Sequence, residues 1–320
     1  MKDLYKLEFE LPLKDIQERI DSLKKNAINS GVDVSSTIKK LEDELIFKRD
    51  KIYSNLSRWE RVQLARHPNR PYSCDYISKI TSFWFELHGD KLYADDPAIV
   101  AGIAIIDTLK VVIIAQEKGR GTKDKVFRNF GMPKPEGYRK ALRIMKLAEK
   151  FNLPIVTLLD TPGAYPGIGA EERGQGHAIA QNLIEMANIK VPIISIVIGE
   201  GASGGALGIG LADRIICLEN TWYSVISPEG CASILFRDST MAESAADLMK
   251  VTSNDLLDIG IADEVIKEPN GGAHINPDKM AEILKETIIR TYANLKNLSV
   301  DELINQRSEK YDKIGYYEKR

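Results

Sequence analysis

The run from Pro192 to Gly210 constrains this chain more than any other stretch. Ile193-Ile194-Ser195-Ile196-Val197-Ile198 is almost wholly apolar, and Gly199-Glu200-Gly201-Ala202-Ser203-Gly204-Gly205-Ala206 follows without a break. It reads as a buried strand, a glycine-rich turn and the start of a small-residue helix. Consecutive glycines at such a turn can present backbone N–H groups to an anion. The same residues spell Gly201-x-Ser203-x-Gly205, the nucleophile-elbow pattern of serine hydrolases.

The rest of the chain supplies the frame. Ile99–Ile106 and Val111–Ala115 are apolar runs joined by a short turn, which predicts an antiparallel hairpin. A polar loop from Gly119 to Gly131 follows, and Lys118, Arg120, Lys123, Lys125 and Arg128 make it basic. Pro135-Glu136 opens a helix reaching Phe151; Ile155–Leu159 is the next strand, and a helix from about Glu171 to Asn188 precedes the Pro192 run. Ile215–Leu218 is a further strand, and Ile261–Ile266 a short return strand. Strands alternating with helices predict an α/β core with mostly parallel strands, whose ligands sit beyond the carboxyl ends. Two such ends stand out, Asp160–Gly167 and Gly199–Ala206, both rich in glycine.

Three segments are expected. Residues 1–70 form an N-terminal helical arm: Leu13, Ile16, Ile20 and Leu23 mark one helix, Gly31 to Val34 a break, and Ile38, Leu41, Leu45 and Ile52 a second helix capped by Ser35 or Ser36. Residues 71–298 form the α/β domain, opening with a helix from about Asp75 to His88, apolar at Ile77, Ile80, Trp84 and Leu87. After Ser227-Pro228-Glu229-Gly230 come short helices, then the amphipathic helix from Pro277 to about Leu298. Residues 299–320 read as a charged, solvated helical tail.

Composition removes several functions. A net charge of -2 leaves no electrostatic footprint for nucleic acid or an anionic membrane, and the mixed Arg58, Trp59, Arg61, Arg66, His67, Arg70 segment is too short to reverse that. Cys74, Cys217 and Cys231 lie far apart, which supports neither a disulfide framework nor a zinc site and points to a reducing compartment. No apolar run approaches a membrane span, and the first residues show no secretory signal.

Among nucleophilic readings, Ser203, Asp263 and His274 follow in hydrolase order. Against this, Ser203 opens a very small-residue helix and His274 lies in a Gly/Asn/Pro loop. His177 reads as a helix histidine, and His67 and His88 as residues at helix ends. Gly199-x-Gly201-x-x-Gly204 matches a dinucleotide pattern, but no unit long enough to complete it precedes Glu219. The remaining chemistry needs no side-chain nucleophile: backbone N–H groups at Gly204 and Gly205, and at Gly163 and Ala164, make an oxyanion hole for an enolate or a polarised carbonyl. The basic loop is then placed to receive an anionic partner.

Several motifs resemble one known family. Asp160-Thr161-Pro162-Gly163-Ala164-Tyr165-Pro166-Gly167, with Ile168-Gly169-Ala170-Glu171-Glu172-Arg173-Gly174-Gln175, is similar to the signature of acetyl-CoA carboxylase carboxyltransferase α subunits. So are Gly199–Ala206, Ser227–Leu235, His67–Tyr72, Glu86–Asp90 and Arg128–Lys140. The resemblance implies a crotonase-like (ClpP/crotonase) spiral of ββα units. It also implies a bacterial multisubunit enzyme of the cytoplasm, in which α pairs with a homologous β subunit as an α2β2 heterotetramer. The implied reaction moves the carboxyl group of carboxybiotin, displayed on the biotin carboxyl carrier protein, to acetyl-CoA, giving malonyl-CoA for fatty acid synthesis. Biotin carboxylase completes the ATP-dependent complex. Zinc is expected on the β subunit only, with no metal and no covalent cofactor on this chain. Gly204 and Gly205 match the family motif; Gly163 and Ala164 are carried over by position. Ala206 and Tyr165 are assigned to substrate, as are Lys118, Arg120 and Arg128 from charge alone. The alternatives are a crotonase-superfamily hydrolase or protease using Ser203, and an enoyl-CoA hydratase using Glu171 and Glu172.

Overall fold

A computed structural model describes residues 4–30 and 33–315. Among them eight strands form one mixed sheet: β1 (Phe83–Glu86), β2 (Ile99–Ile106), β3 (Leu109–Gln116), β4 (Ile155–Thr161), β5 (Ile193–Ala202), β6 (Arg214–Leu218), β7 (Trp222–Ser224) and β8 (Glu264–Ile266). The order is β1-β2-β3-β4-β5-β6-β8, with β7 paired to the far end of β5. β1, β2 and β3 pair antiparallel, as the short β2–β3 turn predicts, and every pairing from β3 onward is parallel. β4 and β5 are buried at every residue, which is why they read as continuous apolar runs rather than alternating ones. No helix among the described residues is long and apolar enough to cross a membrane.

The two faces of the sheet have separate cores. One packs Val156, Ile194, Ile196 and Ile216 against Met280, Leu284 and Ile288 of the Pro277–Leu295 helix. The other packs Ile114, Ile155, Leu159 and Val197 against the Pro135–Lys150, Gln175–Ala187 and Ser203–Gly210 helices, through Tyr138, Ala141, Met145, Ala178 and Ala206. This second face carries the glycine-rich stretches.

Several local expectations change. The helix expected over Asp75–His88 ends at Ile80; Thr81 is extended (φ -105°, ψ 138°), Ser82 N–H donates to the Ile105 carbonyl, and Phe83–Glu86 adds an edge strand to β2. Aromatic residues with a free neighbouring strand edge override the apparent helical spacing of Trp84 and Leu87. The basic loop holds a helix, Gly121–Phe127. The helix expected over Glu171–Asn188 is two, Ile168–Glu172 and Gln175–Ala187, divided where Gly174 adopts φ 80°.

The arm is two helices, Leu11–Ser30 and Ser35–Tyr53, sharing a small core of Leu13, Ile16, Ile20, Leu41 and Leu45. Of the break expected over Gly31 to Val34, Gly31 and Val32 lie outside the described residues. The second helix starts at Ser35 with Val34 at its N-cap rather than Ser35 or Ser36, and the Asp33 carboxylate accepts the Ser35 N–H at 2.9 Å just outside it. The basic segment after the arm joins it to the α/β body. Arg58 binds Asp255, Arg61 binds Asn220, Arg66 binds Glu200 and Glu229, and the fully buried Arg70 binds Glu268.

The Val300–Asp312 helix is solvated along most of its length, as its charge implies, but is anchored through the buried Leu303 and Arg307. Arg307 is 1% exposed; Nε and Nη2 donate to Asp213 at 2.8 and 2.9 Å, and Nη1 to the carbonyls of Met186 and Ile189 at 2.7 and 2.8 Å. It sits at the carboxyl end of the Gln175–Ala187 helix, where a cation is favourable. Residues 316–320 of the tail lie outside the described residues.

Candidate active site

β4 and β5 run parallel and release their chains side by side, which brings the two glycine-rich stretches together. Their register shifts just before the site: Leu159 pairs with Val197, then Thr161 pairs with Gly201. The bulge turns Asp160 toward β5, where its carboxylate accepts the Glu200 N–H at 3.0 Å. A Cβ at Gly199 would lie 2.3 Å from that carboxylate, so glycine is the residue that fits. Lys118 Nζ is 2.6 Å from Asp160 and 3.5 Å from Glu200. Burial alone would lower the Lys118 pKa, but the Asp160 and Glu200 charges outweigh it and raise it, so the ammonium is retained. Glu200 also binds Arg66 at 2.5 Å, linking the base of the site to Glu229.

Past the bulge, Gly163 and Ala164 meet the first turn of the Ser203–Gly210 helix. A Cβ at Gly205 would lie 2.3 Å from the Gly163 carbonyl carbon and 2.6 Å from the Ala164 nitrogen. Only hydrogen fits there, and the two backbones touch. The N–H groups of Ser203, Gly204 and Gly205 have no acceptor within the helix, as at any α-helix start, and the residue before it, Ala202, brings no side-chain cap. Gly204 is half-buried and Gly205 buried. Unpaired amides at a helix N-terminus carry partial positive charge and suit an oxyanion.

The expected site residues divide accordingly. Gly204, Gly205, Gly163 and Ala164 are brought together, whereas Ala206, expected at substrate, is fully buried in the core beneath the helix start. The Gly163 N–H, however, donates to Thr161 Oγ1 at 3.1 Å inside its own turn, whereas Ala164 lies directly against Gly205. Tyr165 is half-buried, its N–H bonded to the Pro133 carbonyl and its ring packed over Gly167. The basic residues are engaged inside the fold: Lys118 as above, Arg120 with Asp75 and the carbonyls of Pro68 and Arg70, and Arg128 with Asp124 and the Pro97 carbonyl.

Sequence reasoning missed Gln116, at the end of β3. Its side chain is fully buried, accepts the Asp160 N–H at 3.1 Å and donates to the Gly205 carbonyl at 2.7 Å. Tyr138 Oη donates to the same carbonyl at 3.2 Å. The available signal was a lone amide closing the apolar run Val111–Ala115.

The rival side chains do not assemble. Ser203 is exposed, with φ 58°, the left-handed conformation of a strained turn at the start of its small-residue helix. His274 is buried at the junction with the arm and faces Glu10 at 3.4 Å, while Asp263 accepts the Ile215 N–H and pairs with Lys310. Glu171, Glu172 and His177 are solvent-exposed.

Among the described residues, one group has metal-ligand character: Glu10, His67 and His274, all buried, with candidate donor atoms within 4.8 Å of one another. The proton placement argues for a polar cluster centred on Glu10 instead, with His67 Nε2 and His274 Nε2 facing its carboxylate at 3.5 and 3.4 Å without hydrogen-bond geometry. Asn69 N–H donates to His67 Nδ1 at 3.1 Å, so in the neutral ring Nε2 carries the proton and turns it toward Glu10, 3.5 Å away. Glu10 already accepts the N–H groups of Lys6 and Leu7 at 2.8 Å and the Tyr53 hydroxyl at 2.5 Å. The cluster ties the arm to the body; the His67 and His274 rings stack at 3.9 Å.

A mixed sheet whose parallel half ends in a glycine loop set against an uncapped helix N-terminus defines a crotonase-like α/β protein. The fold is shared with a transcarboxylase 12S chain solved with methylmalonyl-coenzyme A and methylmalonic acid. That match has TM-score 0.56 and 22% identity over 73% of this chain, which spans 45% of the other. The chain belongs to the acetyl co-enzyme A carboxylase carboxyltransferase-like family, whose model matches residues 6–315. It is 53% identical over 312 residues to the acetyl-coenzyme A carboxylase carboxyl transferase subunit alpha of Xanthomonas axonopodis pv. citri, covering 98% of each chain. To the subunit of the same name from Flavobacterium psychrophilum it is 52% identical over 312 residues, 97% of this chain and 98% of that one.

Proposed function

We propose that this chain is the α subunit of an acetyl-CoA carboxylase carboxyltransferase, working with a β subunit as an α2β2 assembly in the cytoplasm. Its substrates are carboxybiotin, carried by the biotin carboxyl carrier protein and recharged by biotin carboxylase, and acetyl-CoA. The observation that carries this reading is the contact between Gly205 and Gly163–Ala164, which sets uncapped helix amides beside a second backbone segment.

The chemistry is as follows. The N–CO₂ bond of carboxybiotin breaks, and its electron pair places negative charge on the ureido oxygen. The biotin nitrogen takes a proton from the acetyl methyl group, leaving a thioester enolate. The enolate carbon then attacks CO₂ to give malonyl-CoA. Two oxyanions form in turn. The N–H groups of Gly204 and Gly205, with Ala164 as the neighbouring donor, serve the ureido oxygen; the β subunit serves the enolate. Each such donor contributes on the order of 10²–10³ in rate. Because biotin is the base, no histidine or carboxylate is required beside Ser203, consistent with where His274 and Asp263 lie. Tyr165 flanks the same site in this reading, Ala206 supports the helix start from the core rather than meeting substrate, and the engaged Lys118, Arg120 and Arg128 stiffen the surrounding structure.

The test is reconstitution with the β partner, following malonyl-CoA-dependent carboxylation of biotin. Carboxyl transfer that requires both chains is expected. An inactive mixture, with acyl-CoA hydrolysis by this chain alone, would overturn the reading.

A further inference from the structure

We propose that Gln116 is a positioning residue for the oxyanion site: its carboxamide sets the spacing between the β4 loop and the Ser203–Gly210 helix. The inference rests on the function proposed above.

Three strand ends meet at this side chain. Gln116 closes β3, Asp160 lies in the bulge of β4, and Gly205 belongs to the helix that β5 feeds. Oε1 accepts the Asp160 N–H at 3.1 Å and Nε2 donates to the Gly205 carbonyl at 2.7 Å, so one rigid planar group spans both halves of the site. The backbone of Gln116 is itself held: its carbonyl accepts the Ser73 hydroxyl at 2.6 Å, and its residue pairs with Ile99. No solvent reaches the side chain. The bond to Gly205 matters because the close approach of Gly205 to Gly163 leaves no slack: the helix start either sits against the loop or shifts as a unit. Tyr138 Oη donates to the same carbonyl from the helix side, but makes no bond to the β4 loop, so it cannot fix the spacing. The bulge needs the same support, since Asp160 N–H has left the regular ladder and Gln116 is its acceptor. Gln116 touches no reacting atom in this account; it acts through Gly205 and the Asp160–Ala164 loop.

The Gln116→Glu substitution makes the idea testable by pH. When ionised, the introduced carboxylate would still accept the Asp160 N–H but would face the Gly205 carbonyl with an oxygen that cannot donate. When protonated, the same side chain regains an O–H donor and restores both bonds. Burial favours the neutral acid, which moves its titration upward from the usual carboxylate range.

The experiment uses the reconstituted complex with free biotin and malonyl-CoA, comparing wild type, Gln116→Leu, Gln116→Glu and Thr157→Val. Thr157 shares a buried hydroxyl pair with Ser195 at 2.9 Å in the middle of β4 and β5, so it controls for general loss of stability. Gln116→Leu is expected to lower kcat about 10²-fold, the scale of a displacement near 1 Å, with KM for both substrates within about two-fold of wild type. For Gln116→Glu, the ratio of its kcat to that of wild type is expected to rise as pH falls from 8 to 6. Thr157→Val is expected to keep wild-type kcat. Wild-type kcat for Gln116→Leu in an assembled complex overturns the inference. So does a Gln116→Glu ratio that is flat and well below one, or a Thr157→Val loss equal to that of Gln116→Leu. The wild-type arm separates the two levels: no carboxyl transfer there overturns the proposed function, whereas normal transfer with the outcomes just named overturns the role of Gln116 alone.

Discussion

Gly205 lies so close to Gly163 that a single added carbon would come within 2.3 Å of the Gly163 carbonyl carbon. The contact joins backbone to backbone, so no rotamer change relieves it. It also joins the two segments that sequence alone marks as unusual: Gly205 needs glycine because of this contact, whereas Gly163 needs it for its backbone angle, φ 147°. In the proposed function, the helix N-terminus and Ala164 of the loop present their amides side by side.

Gly205→Ala is therefore a severe substitution. The methyl group would displace either the loop or the helix start, removing a donor from the oxyanion site. We expect a kcat loss of about 10²–10³-fold, the scale of one lost oxyanion donor, and a larger loss for Gly205→Val. Association with the β partner should survive, as size-exclusion chromatography would report. Wild-type turnover in Gly205→Val would show that the contact is structural only.

Ser203 gives a prediction of opposite sign. Its φ of 58° is one that glycine adopts without strain. Ser203→Gly is expected to preserve stability or raise it by about 0.5–1 kcal/mol, as measured by urea unfolding. Ser203→Ala should retain carboxyl transfer, because no base stands ready to activate the hydroxyl. Near-complete loss of activity in a folded Ser203→Ala complex would favour a nucleophilic serine instead.

Much of this was readable from pattern. The β4 and β5 strands are uninterrupted apolar runs, and the glycine clusters follow them directly, so the carboxyl-end location of the site was legible. What pattern could not supply was long-range pairing. Trp84 and Leu87 fit a helical spacing until the free edge of β2 claimed their strand. Gln116 is one polar residue after a strand, and its role exists only because Asp160 and Gly205 arrive from 44 and 89 positions away. The small residues around Ser203 carry no sign of its left-handed backbone, which arises at the junction of β5 with the helix. Charge counting at Lys118, Arg120 and Arg128 saw cations but not the Asp160, Asp75 and Asp124 carboxylates that hold them.

The tail helix provides a stability test remote from the site. Arg307→Ala would leave Asp213 buried without its cation, although Asp213 still accepts the Ile193 N–H at 2.7 Å. Breaking a buried pair in this way costs about 3–5 kcal/mol. The expected result is a large drop in the urea midpoint with little change in KM. An unchanged midpoint would mean the helix is not part of the cooperative unit.

The cluster between arm and body should make stability depend on pH just below neutrality. Burial is the main cause that lowers the His274 pKa from its usual 6.5; the neighbouring His67 and Arg70 act in the same direction, and Glu10 opposes them. The folded state thus holds the proton less readily than the unfolded chain. Unfolding then takes up a proton, so this contribution is complete above pH 6.5 and is lost as pH falls toward the depressed folded value. Glu10 acts in a separate window. Burial alone would raise its pKa, but the facing His274 and His67 rings and the Tyr53 hydroxyl outweigh it and hold it below the ordinary 4.5. Its contribution is therefore present above that value and is lost only in stronger acid. Urea unfolding between pH 7.5 and 5 should show stability falling toward the acid side. The His274→Asn variant should flatten that slope while lowering stability at pH 7.5, because it removes the ring stacked on His67. An unchanged slope in His274→Asn would assign the titration to another group.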